Sequence, residues 1–200
     1  MGFEALRLQR DTSSNIAIGR QAMGGFMQSG SENVAIGHHA LLNVNDGFAN
    51  VAVGYHAGRG GGSFDVSGSI FIGYKAGEPP GGSVVAGDGN ILIGYEAQGP
   101  GTGGGGISQG NNVLIGTKTY TGQGSANTIM IGHQANTPNL TRAIVLNATG
   151  SSLSAAFDDS FTVKPIRSAT ASQTLYYNTT TGEITYNTSA AAADVSGAWT

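Results

Sequence analysis

An eight-residue pattern, Asn-Φ-x-Φ-Gly-x-x-Ala with Φ as Val or Ile, recurs along most of this 200-residue chain and constrains the fold more than any other feature. It reads NIAIGRQA at 15–22, NVAIGHHA at 33–40 and NVAVGYHA at 50–57. Residues 69–76 (SIFIGYKA), 90–97 (NILIGYEA), 112–119 (NVLIGTKT) and 128–135 (TIMIGHQA) keep the Φ-x-Φ-Gly centre, and 143–147 (AIVLN) reads as a closing copy. The repeat glycines at 19, 37, 54, 73, 94, 116 and 132 lie 16 to 22 residues apart, and the extra length falls in Gly/Ser-rich stretches between units. Insertions therefore map to loops on a fixed scaffold. Gly2-Phe3-Glu4-Ala5-Leu6 matches Gly37-His38-His39-Ala40-Leu41, so the chain opens inside a repeat whose strand is missing.

The Φ-x-Φ alternation has the period of a strand, and the Gly after it turns the chain where a Cβ would clash. Each repeat is then one coil of a parallel β-roll or β-solenoid over residues 1–150, all-β in class. At about 4.8 Å per coil, nine copies give a rod on the order of 40 Å long. The two Φ residues are expected to face the solenoid interior. The residue between them must face the opposite way; it is Ala17, Ala35 and Ala52 early, then Phe71, Leu92, Leu114, Met130 and Val145. A strand apolar on both faces must be covered on both. A homotrimer of parallel chains is expected to cover the second face, with Phe71, Leu92, Leu114 and Met130 packed at its axis. The change from Ala to larger residues suggests chains that approach closely near the N-terminal end and less closely further on. Coil stacking also places Asn15, Asn33, Asn50, Asn90 and Asn112 above one another. There their amides can form a hydrogen-bonded ladder, or each Asn can serve its own turn alone.

After residue 150 the repeat stops. Residues 161–166 (FTVKPI) read as a strand, and 175–178 (LYYN) with 183–186 (EITY) read as a hairpin around 179–182. Residues 151–200 are expected to form a small β cap or connector on the open solenoid end, followed by an Ala/Ser-rich tail whose one distinctive residue is Trp199.

Composition narrows the function. Only 10% of residues are charged, and the net charge of −3 is scattered, so no basic stripe exists to follow a nucleic-acid backbone. With no cysteine there is neither a disulfide framework nor a thiolate metal site. No window approaches 18 apolar residues, and the N-terminus lacks a charged region followed by an apolar one, so neither a membrane span nor a signal peptide is expected.

Chemistry-bearing residues do not converge. His38, His39, His56 and His133 fall at the two positions after the repeat Gly, where other coils carry Arg20, Gln21, Lys75, Glu96 or Lys118. They read as variable surface positions, with no metal and no cofactor expected. The Gly-rich stretches 58–62 and 99–106 lack the Lys-Ser/Thr and the helix that a phosphate loop requires. Asp88 does not recur with the period as a calcium repeat would need, and Glu78, Asp88 and Glu96 form no recurring carboxylate pair for glycoside hydrolysis. No catalytic residue is expected, and the chain is read as a non-enzyme. Tyr55, Tyr74 and Tyr95 share one repeat position. They form either an exposed aromatic ladder suited to sugar rings or a column in which each Tyr packs over the neighbouring coil.

The units resemble the head repeats of trimeric autotransporter adhesins. They are still more similar to the N-x-A-Φ-G-Y-x-A-L arrays of phage and large-virus tail fibres, where such arrays lead into a segment like residues 161–186 (FTVKPIRSATASQTLYYNTTTGEITY), often followed by an autocleaved intramolecular chaperone. That chaperone is missing here, as in a mature or shortened product. The resemblance implies a trimeric surface fibre of a virion tail, with other tail or baseplate proteins and a host-surface glycan or protein receptor as partners. It gives the bacterial cell surface as the alternative location, and neither nucleic acid nor membrane insertion is expected. An autotransporter head, a polysaccharide-degrading spike and a purely structural spacer are the competing readings.

Overall fold

The structure, a computed structural model, describes residues 2–7, 13–25, 30–60, 65–78, 87–98, 110–122, 124–166 and 174–187. These residues are all-β, with no helix, and belong to two units, Met1–Pro165 and Ile166–Thr200. The first unit is a parallel β-solenoid. Each repeat contributes one short strand: β1 (Ile16–Ile18), β2 (Val34–Ile36), β3 (Val51–Val53), β4 (Ile70–Ile72), β5 (Ile91–Ile93) and β6 (Val113–Ile115). After β7 (Tyr120–Thr121) come β8 (Ile129–Gly132), β9 (Ala135–Thr137), β10 (Ile144–Asn147), β11 (Leu153–Ser154) and β12 (Phe161–Lys164). A nine-stranded parallel sheet runs β1-β2-β3-β4-β5-β6-β8-β10-β12, and a shorter parallel sheet runs β11-β9-β7. Register follows the repeat, for example Ile70↔Ile91, Phe71↔Leu92 and Ile72↔Ile93. The opening segment stacks as its match to residues 37–41 implies, with the Gln21 N–H donating to the Phe3 carbonyl and the Leu6 N–H to the Ala22 carbonyl.

The repeat glycine is required by close approach of the coils. At Gly94, φ is +136°, and a Cβ there would lie 2.2 Å from the Gly116 carbonyl oxygen of the next coil. No side chain fits, and the column propagates because each glycine faces the next.

The phase of the strands is the reverse of the expected one. Ala17, Ala35, Ala52, Phe71, Leu92, Leu114, Met130 and Val145, the residues between the Φ positions, are buried inside the single chain. Phe71, Leu92, Leu114 and Met130 are 0% exposed without any partner, so they belong to the chain's own core and cannot pack at an axis between chains. They share that core with the repeat alanines Ala22, Ala40, Ala57, Ala76, Ala97 and Ala135. The Φ residues point outward: Ile16, Ile18, Ile36, Ile72, Ile115, Ile129, Ile131 and Ile144 are all exposed.

The drift from Ala to larger residues has a local cause as well. Coils with Ala17 and Ala35 fill the interior with Met23 and Leu41, four residues after the Gly, both buried. Around Phe71 the same positions are Gly58 and Gly77, where a Cβ would come within 2.8 Å and 2.3 Å of the Phe71 ring. Interior volume is conserved by exchange between strand and turn, as close packing demands. The spacing of neighbouring chains plays no part in it.

The asparagine ladder is present. The Asn33 side-chain amide donates to Asn15 Oδ1 at 3.2 Å, Asn50 to Asn33 Oδ1 at 2.9 Å, and Asn112 to Asn90 Oδ1 at 3.1 Å. Ser69 interrupts the column without breaking it: its N–H donates to Asn50 Oδ1, and its Oγ accepts from the Asn90 N–H. Thr128 closes the run on Asn112 Oδ1 at 2.8 Å.

One boundary differs from expectation. β12 pairs in parallel with β10, so residues up to Pro165 belong to the solenoid rather than to a separate cap beginning at residue 151. In the second unit, β13 (Thr174–Tyr177) and β14 (Ile184–Asn187) form the expected antiparallel hairpin, with Leu175 opposite Tyr186. Trp199 and the tail lie outside the described residues.

Candidate functional site

The two positions after each repeat Gly form parallel columns along one edge of the solenoid. The first carries Arg20, His38, Tyr55, Tyr74, Tyr95, Thr117 and His133; the second carries Gln21, His39, His56, Lys75, Glu96, Lys118 and Gln134. Every residue of the second column has φ between +49° and +59°. Its N–H reaches across to a first-column carbonyl of the preceding coil, as from His56 to His38 at 2.9 Å and from Lys75 to Tyr55 at 2.8 Å. A tight turn held by its neighbours thus sets these side chains in register, one coil apart.

In the first column the rings stack. Tyr55, Tyr74 and Tyr95 have centroid separations of 5.2 and 5.1 Å with planes 9° apart, and His38 stacks on Tyr55 at 5.2 Å. The three tyrosines are 42 to 47% exposed. Their faces are occupied by one another, so solvent meets ring edges and hydroxyl groups. A sugar ring that packs by its C–H face needs a free aromatic face, and this column offers little of it. The packing of each Tyr over its neighbour accounts for the arrangement.

The two columns together hold a feature the sequence did not announce. His38, His39 and His56 each offer a ring nitrogen, and these three atoms lie within 4.8 Å of one another. His56 is buried and the other two, like His133, are half-buried, so the histidines are not the plain exposed side chains expected. His39 Nδ1 lies 3.1 Å from His56 Nε2. His56 Nδ1 lies 2.9 Å from Glu78 Oε1, which also accepts from Arg59 Nη1 at 2.6 Å, and Lys75 Nζ stands 3.5 Å from the other Glu78 oxygen. On the other side, His39 Nε2 meets Gln21 Oε1, while the Gln21 amide nitrogen donates to Glu4 Oε2 at 2.5 Å. Burial, with the charges of His38, His56, Arg59 and Arg20 adding to it, pushes the His39 pKa down to about 4. Burial also lowers that of His56, outweighing the pull of Glu78. For Glu78, burial favours the neutral acid, but the hydrogen bonds from Arg59 and His56 together hold the carboxyl below its ordinary range. The column register carried this cluster, since consecutive coils place Gln21, His39 and His56 side by side. Glu78 comes from five residues past a repeat Gly, a position with no pattern of its own.

The remaining candidates are structural. The Gly58 and Gly60 N–H groups donate to the Ala76 and Leu42 carbonyls, so these two donors serve coil stacking and not a phosphate, and residues 61 and 62 lie outside the described residues. Residues 99–106 lie outside the described residues. Asp88 Oδ1 accepts from the Ser67 N–H at 2.8 Å, and Glu96 pairs with Lys118 at 3.9 Å. Among the described residues no helix is long and apolar enough to cross a membrane. Comparison with family models, with curated proteins and with solved structures finds no match.

Proposed function

We propose that the chain is a structural and adhesive component of a trimeric surface fibre, of the phage or phage-like tail-fibre kind, that contributes to host-cell attachment. The observation that carries this reading is the outward row of Val and Ile on the nine-stranded sheet, from Ile16 and Ile18 to Ile144. A contiguous apolar strip on a soluble chain marks an interaction surface. The strip repeats with the coil, so a partner that matches it along its whole length is best supplied by the same chain in parallel register, and a threefold axis closes such contacts. Burial of that strip at about 25 cal/mol per Å² would supplement the narrow core of a single solenoid. The C-terminal hairpin is assigned the role of a cap or connector to the next fibre segment.

A purely structural spacer is the second reading, favoured by the tyrosine column, whose ring faces are already occupied. Binding of the fibre to host cells, against a fibre lacking this segment, separates the two.

Light scattering tests the assembly and should return three times the 20.2 kDa chain mass. Ile72→Asp, on the outward row, should lower that mass while keeping the strand signal in circular dichroism. Leu92→Asp, in the core, should abolish the strand signal itself. A monodisperse wild-type monomer, or an Ile72→Asp protein that associates as the wild type does, would refute the assembly.

A further inference from the structure

The hydrogen-bond chain from Glu4 to Glu78 has one proton too few in its middle. Glu4, whose other oxygen is held by Arg7 at 2.5 Å, can only accept, so the Gln21 amide nitrogen must face it and Gln21 Oε1 must face His39. His39 Nε2 then carries the hydrogen and donates to that oxygen. At the other end the Glu78 carboxylate accepts at 2.9 Å, so His56 Nδ1 carries its hydrogen. Arg59 Nη1 also lies 3.3 Å from His56 Nδ1, but it donates to Glu78 Oε1 at the shorter 2.6 Å, and a bare Nδ1 would leave two acceptors opposed. In neutral rings this leaves His39 Nδ1 and His56 Nε2, 3.1 Å apart, both bare and pointing lone pair at lone pair. Such a pair repels unless a cation lies between the nitrogens. A shared proton or a metal ion would supply that cation, and the third ring nitrogen, from His38, within 4.8 Å of the other two favours the ion.

We propose that His39 Nδ1 and His56 Nε2, with His38 as third donor, bind one divalent first-row transition ion of the zinc, nickel or copper class. Neutral imidazole suits these ions. With metal–nitrogen bonds of about 2.0–2.1 Å, two nitrogens at angles between square and tetrahedral stand about 2.9–3.4 Å apart, and the observed pair falls inside that interval. Glu78 and Gln21 orient the two rings from behind, as carboxylates and carbonyls do behind metal-bound histidines. His38 Nδ1 is buried without a hydrogen-bond partner. When it ligates, the ring proton moves to Nε2, and Arg20, now 3.1 Å from that nitrogen on the exposed side, turns away to solvent. The rings of His39 and His56, 23° from parallel, rotate about χ2 to aim both lone pairs at the ion. A bound ion would clamp two consecutive coils through side chains of the turns that follow β2 and β3. This inference does not rest on the trimer, because all three ligands come from one chain.

The test uses the full chain without a histidine tag, stripped with chelator and titrated with Zn²⁺ and Cu²⁺ by calorimetry, with electron paramagnetic resonance of the Cu²⁺ form. One ion per chain is expected, with nitrogen hyperfine couplings from imidazole. His39→Gln and His56→Gln should each weaken binding by at least about 100-fold, and Glu78→Gln by about 10-fold. Arg20→Ala should tighten it, a result that misfolding cannot mimic, and His133→Gln should leave it unchanged. Three results would overturn the proposal: no stoichiometric binding, binding insensitive to His39→Gln and His56→Gln in folded protein, or ¹⁵N spectra at pH 7 showing a proton shared between His39 and His56.

Discussion

Replacement of Asn50 by Ala probes the ladder at a point where its energy can be worked out bond by bond. The Asn50 amide donates to Asn33 Oδ1 at 2.9 Å and to the Val66 carbonyl at 2.6 Å, and its Oδ1 accepts from the Ser69 N–H at 3.0 Å. In the Ala variant Asn33 Oδ1 still receives the backbone N–H of residue 50. The Val66 carbonyl and the Ser69 N–H do not find a substitute, since Asn50, Val66 and Ser69 are all fully buried. An unsatisfied buried group costs about 1–3 kcal/mol, so Asn50→Ala should destabilise by about 2–6 kcal/mol. Asn50→Ser is the calibrating variant, because the chain already uses Ser at this slot: Ser69 Oγ accepts from the Asn90 N–H at 3.1 Å. A serine at 50 keeps an acceptor for Ser69 and orphans only the Val66 carbonyl, about 1–3 kcal/mol.

Coil interactions in a solenoid are nearest-neighbour, so the loss should be local before it is global. Hydrogen exchange at the Ser69 amide is the direct readout. It should accelerate in Asn50→Ala and stay near wild type in Asn50→Ser, while amides around β10 are unchanged in both. Melting temperatures, compared at one protein concentration because association shifts them, should fall in the same order. Equal destabilisation by Ala and Ser, or an unchanged Ser69 amide, would mean that the stacked amides serve only their own turns.

Gly94→Ala should destabilise by about 3 kcal/mol or more in urea unfolding, since φ is +136° and the new Cβ meets the Gly116 carbonyl at 2.2 Å, whereas Gly124→Ala, with nothing within 4 Å, should stay within about 0.5 kcal/mol. Phe71→Ala should cost about 3–5 kcal/mol, because the flanking Gly58 and Gly77 carry no side chain to refill the space. If Phe71→Ala is neutral by the same measurement, the ring does not fill the core as described.

The repeat, its glycine column, the Asn column and the hairpin were legible because each depends on local rules of period, turn and register. Which strand face lies inside was not. Period-two alternation distinguishes two faces but does not say which is the interior when both are apolar, and the uniform Val/Ile pairs looked more like a core than the variable Ala, Phe, Leu and Met between them. Variability was in fact the signal of an enclosed space: Met23 with Ala17, Leu41 with Ala35, and Gly77 with Phe71 are complementary volumes within one coil. Side chains that need not share a closed volume have no reason to vary in compensation. The outward Ile and Val keep nearly one size along the stack, the uniformity that the proposed parallel partner would require.

With the strand faces inverted, the face left for a partner is the Val/Ile row. A strand apolar on both faces must be covered twice. The chain covers Ala17, Phe71 and Leu92 by itself and leaves Ile16, Ile18, Ile72 and Ile115 open. The β-branched row is also the better surface for a symmetric contact, since stiff χ1 rotamers lose little entropy on packing. The histidine cluster, by contrast, was hidden for a different reason. A slot that holds Gln, His, His, Lys and Glu in succession looks arbitrary when each residue is read alone, and acquires chemical meaning only when coil stacking sets consecutive members side by side, with Glu78 closing the row.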